Sequence, residues 1–245
     1  MNFLFISDME PKNRKNLWPM PAPVSIIIPT LNSAKTLGPM MAGLFEGMST
    51  GLVCEVIFAD GGSTDDTIKI GDELGVKIIS CTKGRGTQMA NGANAARGDW
   101  LFFVHSDTQL SKGWADIVLD HIQSNRKAGF GKLKFDANGF GAWFVAGWAN
   151  IRSRLFGLPY GDQTLLISKQ MYRSTGGYRD IPLMEDVAIS NKIGRQKTAL
   201  NFTATTGADR FVNDGWFRRG TKNLGTLALY YLGRDPNQLS HRYHR

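Results

Sequence analysis

Four times before residue 110, a short apolar run in this chain stops at a polar tip, and helix-forming sequence leads to the next run. The runs are Val24–Pro29, Leu52–Ala59, Val76–Ser80 and Trp100–Val104. Near-continuous apolar stretches of this length suit strands covered on both faces. Helical crossovers between consecutive strands make those strands parallel. Parallel strands share one carboxyl edge, where open α/β sheets place their ligand chemistry. Thr30, Asp60, Lys83 with Arg85, and His105 with Asp107 all fall at that edge. The expected class is α/β, a Rossmann-like and mostly parallel central sheet with helices on both faces.

The tips have individual chemistry. Asp60 precedes Gly61-Gly62 and Ser63-Thr64. It suits either a contact to a base or ribose, or an aspartate bonding its own turn amides. Ser63 or Thr64 is placed to cap the next helix. Lys83-Gly-Arg-Gly86 sets two cations on a glycine loop at a helix start, which attracts phosphate through charge, amides and dipole together. It follows the third strand, and Met89 stands where a dinucleotide fingerprint needs a glycine, so that fingerprint is set aside. Asp107 has the chemistry of a hard-cation ligand that shares its metal with substrate phosphates. His105 suits the same metal or a hydrogen bond near a ribose. Glu185-Asp186 opens a helix through about Ile193; the pair either complements the helix dipole or supplies a general base. Asp162 and Gln163, in the loop Gly157–Gln163, suit a sugar or acceptor contact or a plain turn.

Other segments are read more coarsely. Helices are expected over Ser33–Met48, Ser111–Ser124, Asn138–Phe156, Lys169–Ser174 and Trp216–Leu232, and strands over Ala128–Asp136, Thr164–Ser168 and Thr198–Thr203. The aromatic residues Phe140, Trp143, Phe144 and Trp148 are expected in the core rather than as a sugar platform. The last helix carries Arg218, Arg219 and Lys222, and packing on the main domain is preferred to grazing a membrane. Cys54 and Cys81 lack metal-type spacing and read as buried free thiols. The formal net charge of +8 suits an anionic partner, be it a phosphorylated small molecule, a membrane surface or nucleic acid. No run reaches the roughly 18 apolar residues of a membrane-spanning helix. The first residues lack a basic n-region, so no signal peptide is expected.

Taken together, Val24–Asn32, Ala59–Asp65, Ala96–Asp107 and Met184–Val187 resemble the inverting family 2 glycosyltransferases of GT-A fold. The likeness spans about Val24 to Arg195; Gly84–Met89 and Tyr160–Gln163 look like a bacterial subgroup. Residues 1–22, with three prolines in Asn16–Pro23 and no periodicity, read as an extended tail; the resemblance implies a GT-A domain over 23–210, followed by a C-terminal helix and tail over 211–245. Within that domain a nucleotide half runs to about 110 and an acceptor half follows. It implies that Thr30 and Asp60 contact the nucleoside, with Lys83, Arg85 and His105 near the nucleotide. Asp107 would be the metal-binding member of the family's Asp-x-Asp motif, whose first Asp is His105 here. Asp186 would be the general base and Glu185 its positioning partner. The implied cofactor is a divalent metal, Mn2+ or Mg2+, and the donor a nucleotide-diphosphate sugar. The acceptor would be a saccharide or a lipid-linked hydroxyl, with no nucleic-acid partner. With neither a signal peptide nor a spanning run expected, a cytoplasmic location is expected, with peripheral contact at the inner membrane face as an option. Two alternatives stay open: a catalytically weak nucleotide-sugar-binding protein on the same fold, and a nucleotidyltransferase.

Overall fold

The structure is a computed structural model that describes residues 22–243. Its first half follows the apolar runs: β1 (Val24–Thr30), α1 (Ala34–Ser49), β2 (Val53–Asp60), α2 (Thr67–Glu73), β3 (Lys77–Ser80), α3 (Arg85–Ala95) and β4 (Trp100–Phe103). The second half contains β5 (Gln109–Leu110), α4 (Trp114–Ser124), β6 (Ala128–Phe135), α5 (Phe140–Phe156) and a 3-10 turn at Gly161–Gln163. It continues with β7 (Leu165–Ser168), α6 (Lys169–Ser174), α7 (Glu185–Ile193), β8 (Lys197–Thr206), α8 (Asp209–Asp214), α9 (Trp216–Tyr231) and α10 (Pro236–Tyr243). The expected tail falls almost wholly outside the described residues.

One eight-stranded sheet runs in the order β3-β2-β1-β4-β7-β6-β8-β5. The pairs β1–β2, β2–β3 and β1–β4 are parallel, as the helical crossovers require, and so is β6–β8. β7 enters antiparallel between β4 and β6, and β5 pairs antiparallel with β8. The sheet is therefore mixed but mostly parallel where the strand tips gather.

Alternation along β1 divides the core. Ile26 and Ile28 face one layer with Phe102, Leu37 and Met40 of α1, and Trp114 of α4. Ile27 faces the other, with Phe103, Met89 of α3, Tyr172 of α6 and Ile189 of α7. All of β1's isoleucines are fully buried, and burying a side chain of that size stabilises by about 1.5–3 kcal/mol. Gly92 lets α3 lie close to β1: a Cβ there would fall 2.4 Å from Ile27 Cγ2.

Several expectations need correction. Helix α2 begins at Thr67, not at Ser63 or Thr64, because those two are drawn into the Asp60 and Asn32 turns while Asp65 accepts from the Thr67 amide at 3.0 Å. Helix α4 begins at Trp114, not Ser111; Glu46 of α1 accepts from the Gly113 and Ala115 amides at 3.0 and 3.1 Å. Cys54 and Cys81 are free, but half-buried rather than buried. The aromatic residues of α5 are not core. That helix seats on β6 through Ala142, Ala146 and Ala149, which pack with Leu133 and Phe135, and it turns its aromatic side outward. Helix α9 packs on α5, α8 and α10.

Candidate active site

Parallel register sets the spacing of the tips. Thr30 lies opposite Asp60, and Ile27 opposite Phe103, so the end of β1 stands between Asp60 and the His105–Asp107 segment. Two strand spacings put those segments about 10 Å apart. Ser33 Oγ donates to Ser106 Oγ at 3.0 Å and ties the first turn to the segment after β4.

Asp60 spends its oxygens on its own turn. Oδ1 accepts from the Gly62 and Ser63 amides at 2.9 and 2.8 Å; Oδ2 accepts from Thr30 Oγ1 at 2.9 Å and from Ser63 Oγ. Burial opposes its charge, yet these bonds together hold the carboxyl below its ordinary value. Four donors fill the lone-pair sites of a carboxylate, so a base can reach Asp60 only by displacing one of them. The turn-aspartate geometry is thus the one observed. Thr30 is fully buried, and its hydroxyl is committed to Asp60.

Sequence reasoning overlooked Gln88. Buried on α3, it donates through Nε2 to the carbonyls of Thr30 and Ala59, both at 2.7 Å. This pins the start of α3 against the tips of β1 and β2. The signal is a polar side chain beside Met89, one turn into a helix whose buried positions are otherwise apolar or glycine.

The start of α3 carries Arg85, half exposed, whose Nη1 lies 3.3 Å from Glu185 Oε1. Burial works against its charge, but Glu185, Asp186, Asp107 and Asp162 outweigh it and hold the guanidinium protonated. Lys83 is exposed at the loop before it. Gly86 permits α3 and the loop before α7 to touch, since a Cβ there would lie 2.1 Å from the Arg179 carbonyl oxygen.

Glu185 and Asp186 differ sharply. Glu185 is buried; burial raises its pKa, Arg85 opposes the rise and Asp186 adds to it. Asp186 is half-buried, its Oδ2 accepting from the Gly161 amide at 3.0 Å and its Oδ1 from the Val187 amide at 2.7 Å. Each oxygen keeps room for another donor.

Asp107 Oδ1 accepts from Thr206 Oγ1 at 3.2 Å and Thr108 Oγ1 at 3.4 Å. His105 has no partner for its buried Nε2. Burial, then the charges of Arg85 and Arg210, push its pKa down to about 3, so the ring is neutral at pH 7. Asp162 keeps a buried Oδ1 without a partner. Burial lifts its pKa to about 6, Arg152 opposes the rise, and Asp186 and Asp107 add to it. Gln163 does not line the cleft. It is buried, donates to the Gly131 carbonyl at 3.2 Å and to Asn150 at 3.3 Å, and accepts from Ser153 Oγ, so it braces the loop from behind.

Arg85, His105, Asp107, Asp162, Glu185 and Asp186 therefore form one electrostatic cluster. Among the described residues, no three His, Cys, Asp or Glu side chains are assembled as a metal cage. The unpartnered Asp162 Oδ1 and Asp107 Oδ2, the Asp107 oxygen that takes no hydroxyl, fit a hard divalent cation that draws its other ligands from phosphate and water.

The sequence model described as Glycosyl transferase family 2 matches residues 25–173. A PGL/p-HBAD biosynthesis glycosyltransferase of Mycobacterium tuberculosis is 36% identical over 99 residues, 37% of this chain and 38% of the relative. A glucosyl-3-phosphoglycerate synthase of Mycolicibacterium paratuberculosis is 31% identical over 93 residues, 34% of this chain and 28% of the relative. The match thus spans well under half the length of these relatives. Among solved structures, S. aureus TarS 1–349 in complex with UDP aligns with a TM-score of 0.61 at 16% identity, over 90% of this chain and 70% of that one. The glucosyl-3-phosphoglycerate synthase of Mycobacterium tuberculosis, in complex with Mn2+, UDP and glucosyl-3-phosphoglycerate, aligns with a TM-score of 0.51 at 19% identity, over 83% and 78%. At such identities the structural likeness shows the fold.

Proposed function

The chain belongs to glycosyl transferase family 2 and has a GT-A type fold, and on that premise we propose that it moves a sugar from a nucleotide-diphosphate sugar to an acceptor hydroxyl with inversion. The observation that carries this reading is Asp186. Its two oxygens are aimed by the Gly161 and Val187 amides, it is open to solvent on one side, and it stands in the field that also holds Asp107 and Arg85. Asp186 takes the proton from the attacking hydroxyl. Glu185 cannot compete, because it is buried against Arg85. Its role is to hold that guanidinium where leaving-group charge develops. Lys83 adds a second, mobile-ended cation to the same loop. His105, neutral, offers a hydrogen bond rather than a charge. Asp162 faces the sugar or acceptor from the Gly161–Gln163 turn, while Gln163 supports that turn. Thr30 and Asp60 shape the nucleoside side, and contact with the base displaces the Ser63 hydroxyl. A divalent cation, Mn2+ or Mg2+, would be held through Asp107 and would neutralise diphosphate charge.

The division of labour follows chain order: residues to about 110 serve the nucleotide, and those beyond serve the acceptor. UDP and Mn2+ are the first probes, since solved structures of similar fold hold them. The test is release of nucleoside diphosphate from a panel of nucleotide sugars, with and without candidate acceptors. Asp186→Asn should keep donor binding and lose about 100- to 10,000-fold in transfer. Near wild-type turnover in that variant refutes the base assignment. Donor binding without turnover on any acceptor supports the binding-protein alternative.

A further inference from the structure

Helix α5 is inside out. Its buried face is small apart from one arginine: Ala142, Ala146, Ala149 and Ser153, with Arg152. Its solvent face is large: Phe140, Trp143, Phe144, Trp148, Ile151 and Leu155 recur at helical spacing on one side. Trp143 is 71% exposed and Leu155 73%, values that leave most of each side chain in water. Phe217 of α9, 56% exposed, extends the stripe through a ring contact with Phe144 at 5.9 Å. Isolated exposed apolar side chains need no explanation, but a contiguous stripe along a five-turn helix marks a docking surface.

We propose that this face of α5 and α9 seats on an anionic lipid bilayer. Charge selects this occupant. Neither helix contains an Asp or Glu, whereas Arg154 and Arg218 stand exposed beside the stripe and the chain as a whole is cationic. Two tryptophans among aliphatic and aromatic neighbours, bordered by arginine, is the composition that partitions into the headgroup boundary. A protein partner or second copy would be expected to meet at least some carboxylates on such a surface. The opposite face of the same helix anchors the catalytic loop: Arg152 Nε donates to the Leu158 carbonyl at 3.1 Å and stacks on Tyr160, and Ser153 bonds Gln163. Docking would therefore bring the Gly161–Gln163 turn within about one helix diameter, roughly 10 Å, of the lipid surface. The proposal does not depend on the transferase reading, because binding is measured without turnover.

The experiment is flotation of the full chain with vesicles of phosphatidylcholine alone and with one lipid in three replaced by phosphatidylglycerol. Binding is expected to the anionic vesicles, to weaken with salt, and to fall about tenfold or more in Trp143→Ser/Trp148→Ser. Arg154→Glu/Arg218→Glu should lose the preference for anionic lipid. Brominated acyl chains should quench wild-type tryptophan fluorescence, a readout that needs no variant to fold. Absence of flotation and quenching overturns the proposal. So does binding that survives both double substitutions, or a lipid-free dimer in the ultracentrifuge that Trp143→Ser/Trp148→Ser dissociates.

Discussion

A side chain at position 161 has no room. A Cβ there would lie 2.5 Å from His105 Nε2, and the amide of the same residue holds Asp186 Oδ2. Gly161→Ala must push either the imidazole or the loop, and withdrawal of the loop releases the carboxylate. We expect kcat to fall about ten- to hundredfold with donor affinity nearly unchanged, and His105→Ala in the same chain to restore part of it. Equal losses in kcat and donor affinity would show that the residue shapes the donor pocket instead of aiming Asp186. Asp162 gives a second test through pH. Its folded-state pKa, about 6, exceeds the ordinary 3.8, so the folded form binds the proton more tightly than the unfolded chain. The stability this contributes is complete below about pH 4 and is lost as pH rises through about 6. At pH 8 the native state carries a buried charge that Arg152 only partly offsets. In chelator-treated buffer, Asp162→Asn should be more stable than wild type at pH 8, by up to about 3 kcal/mol, and should converge with it near pH 4. A constant difference across that range would place the cause elsewhere. The sequence offers Gly161-Asp-Gln163 only as a turn or a sugar or acceptor contact; the collision with His105 arises only across 56 positions of chain.

At the scale of elements, Gln88 shows what a local reading omits. It closes the gap between α3 and two strand tips with two 2.7 Å bonds to backbone carbonyls. Gln88→Ala strips a buried donor from both and should cost about 1–3 kcal/mol, lowering Tm by roughly 2–4 °C per kcal/mol. Because the start of α3 also presents Arg85, donor affinity should fall with it, and a titration of UDP against wild type and Gln88→Ala checks this. Loss of stability with donor binding intact would confine Gln88 to the scaffold. The apolar runs ending in polar tips placed β1, β2, β3 and β4 to within about two residues, since their short length and the turn residues that bound them favour a buried strand over a helix. Elements made by distant partners were not legible. The start of α4 is fixed by Glu46, 67 positions away, and the two-residue β5 exists because β8 offers it an edge. The aromatic side of α5 misled for the opposite reason. Helical periodicity identifies the large face correctly, but which face turns inward depends on β6, whose approach through Ala142, Ala146 and Ala149 demands small residues.

Across the whole molecule, the site joins segments from β1 to α7 that have no stable relation unless the sheet is intact, so a ligand gripping them must raise the stability of the fold. A ligand that binds only the native state at about a hundredfold excess over its Kd adds about 2.7 kcal/mol. For a chain of this length that is roughly 5–10 °C in Tm. UDP alone should give part of that rise through the nucleoside side and Arg85, and Mn2+ should add the rest. The increment due to Mn2+ should vanish in Asp107→Ala while the shift due to UDP persists, because Asp107 accepts only two hydroxyls in the fold and its removal leaves β4, Thr30 and Asp60 in place. A full Mn2+ increment in Asp107→Ala would move the cation to Asp162, the carboxylate of the cluster with a buried unpartnered oxygen, and the double variant would then decide between them. The order of these shifts tests more than one ligand. It asks whether the nucleotide side, built on parallel strand tips, and the Asp107–Asp162 side, built on loops from the mixed half of the sheet, respond as one cooperative unit.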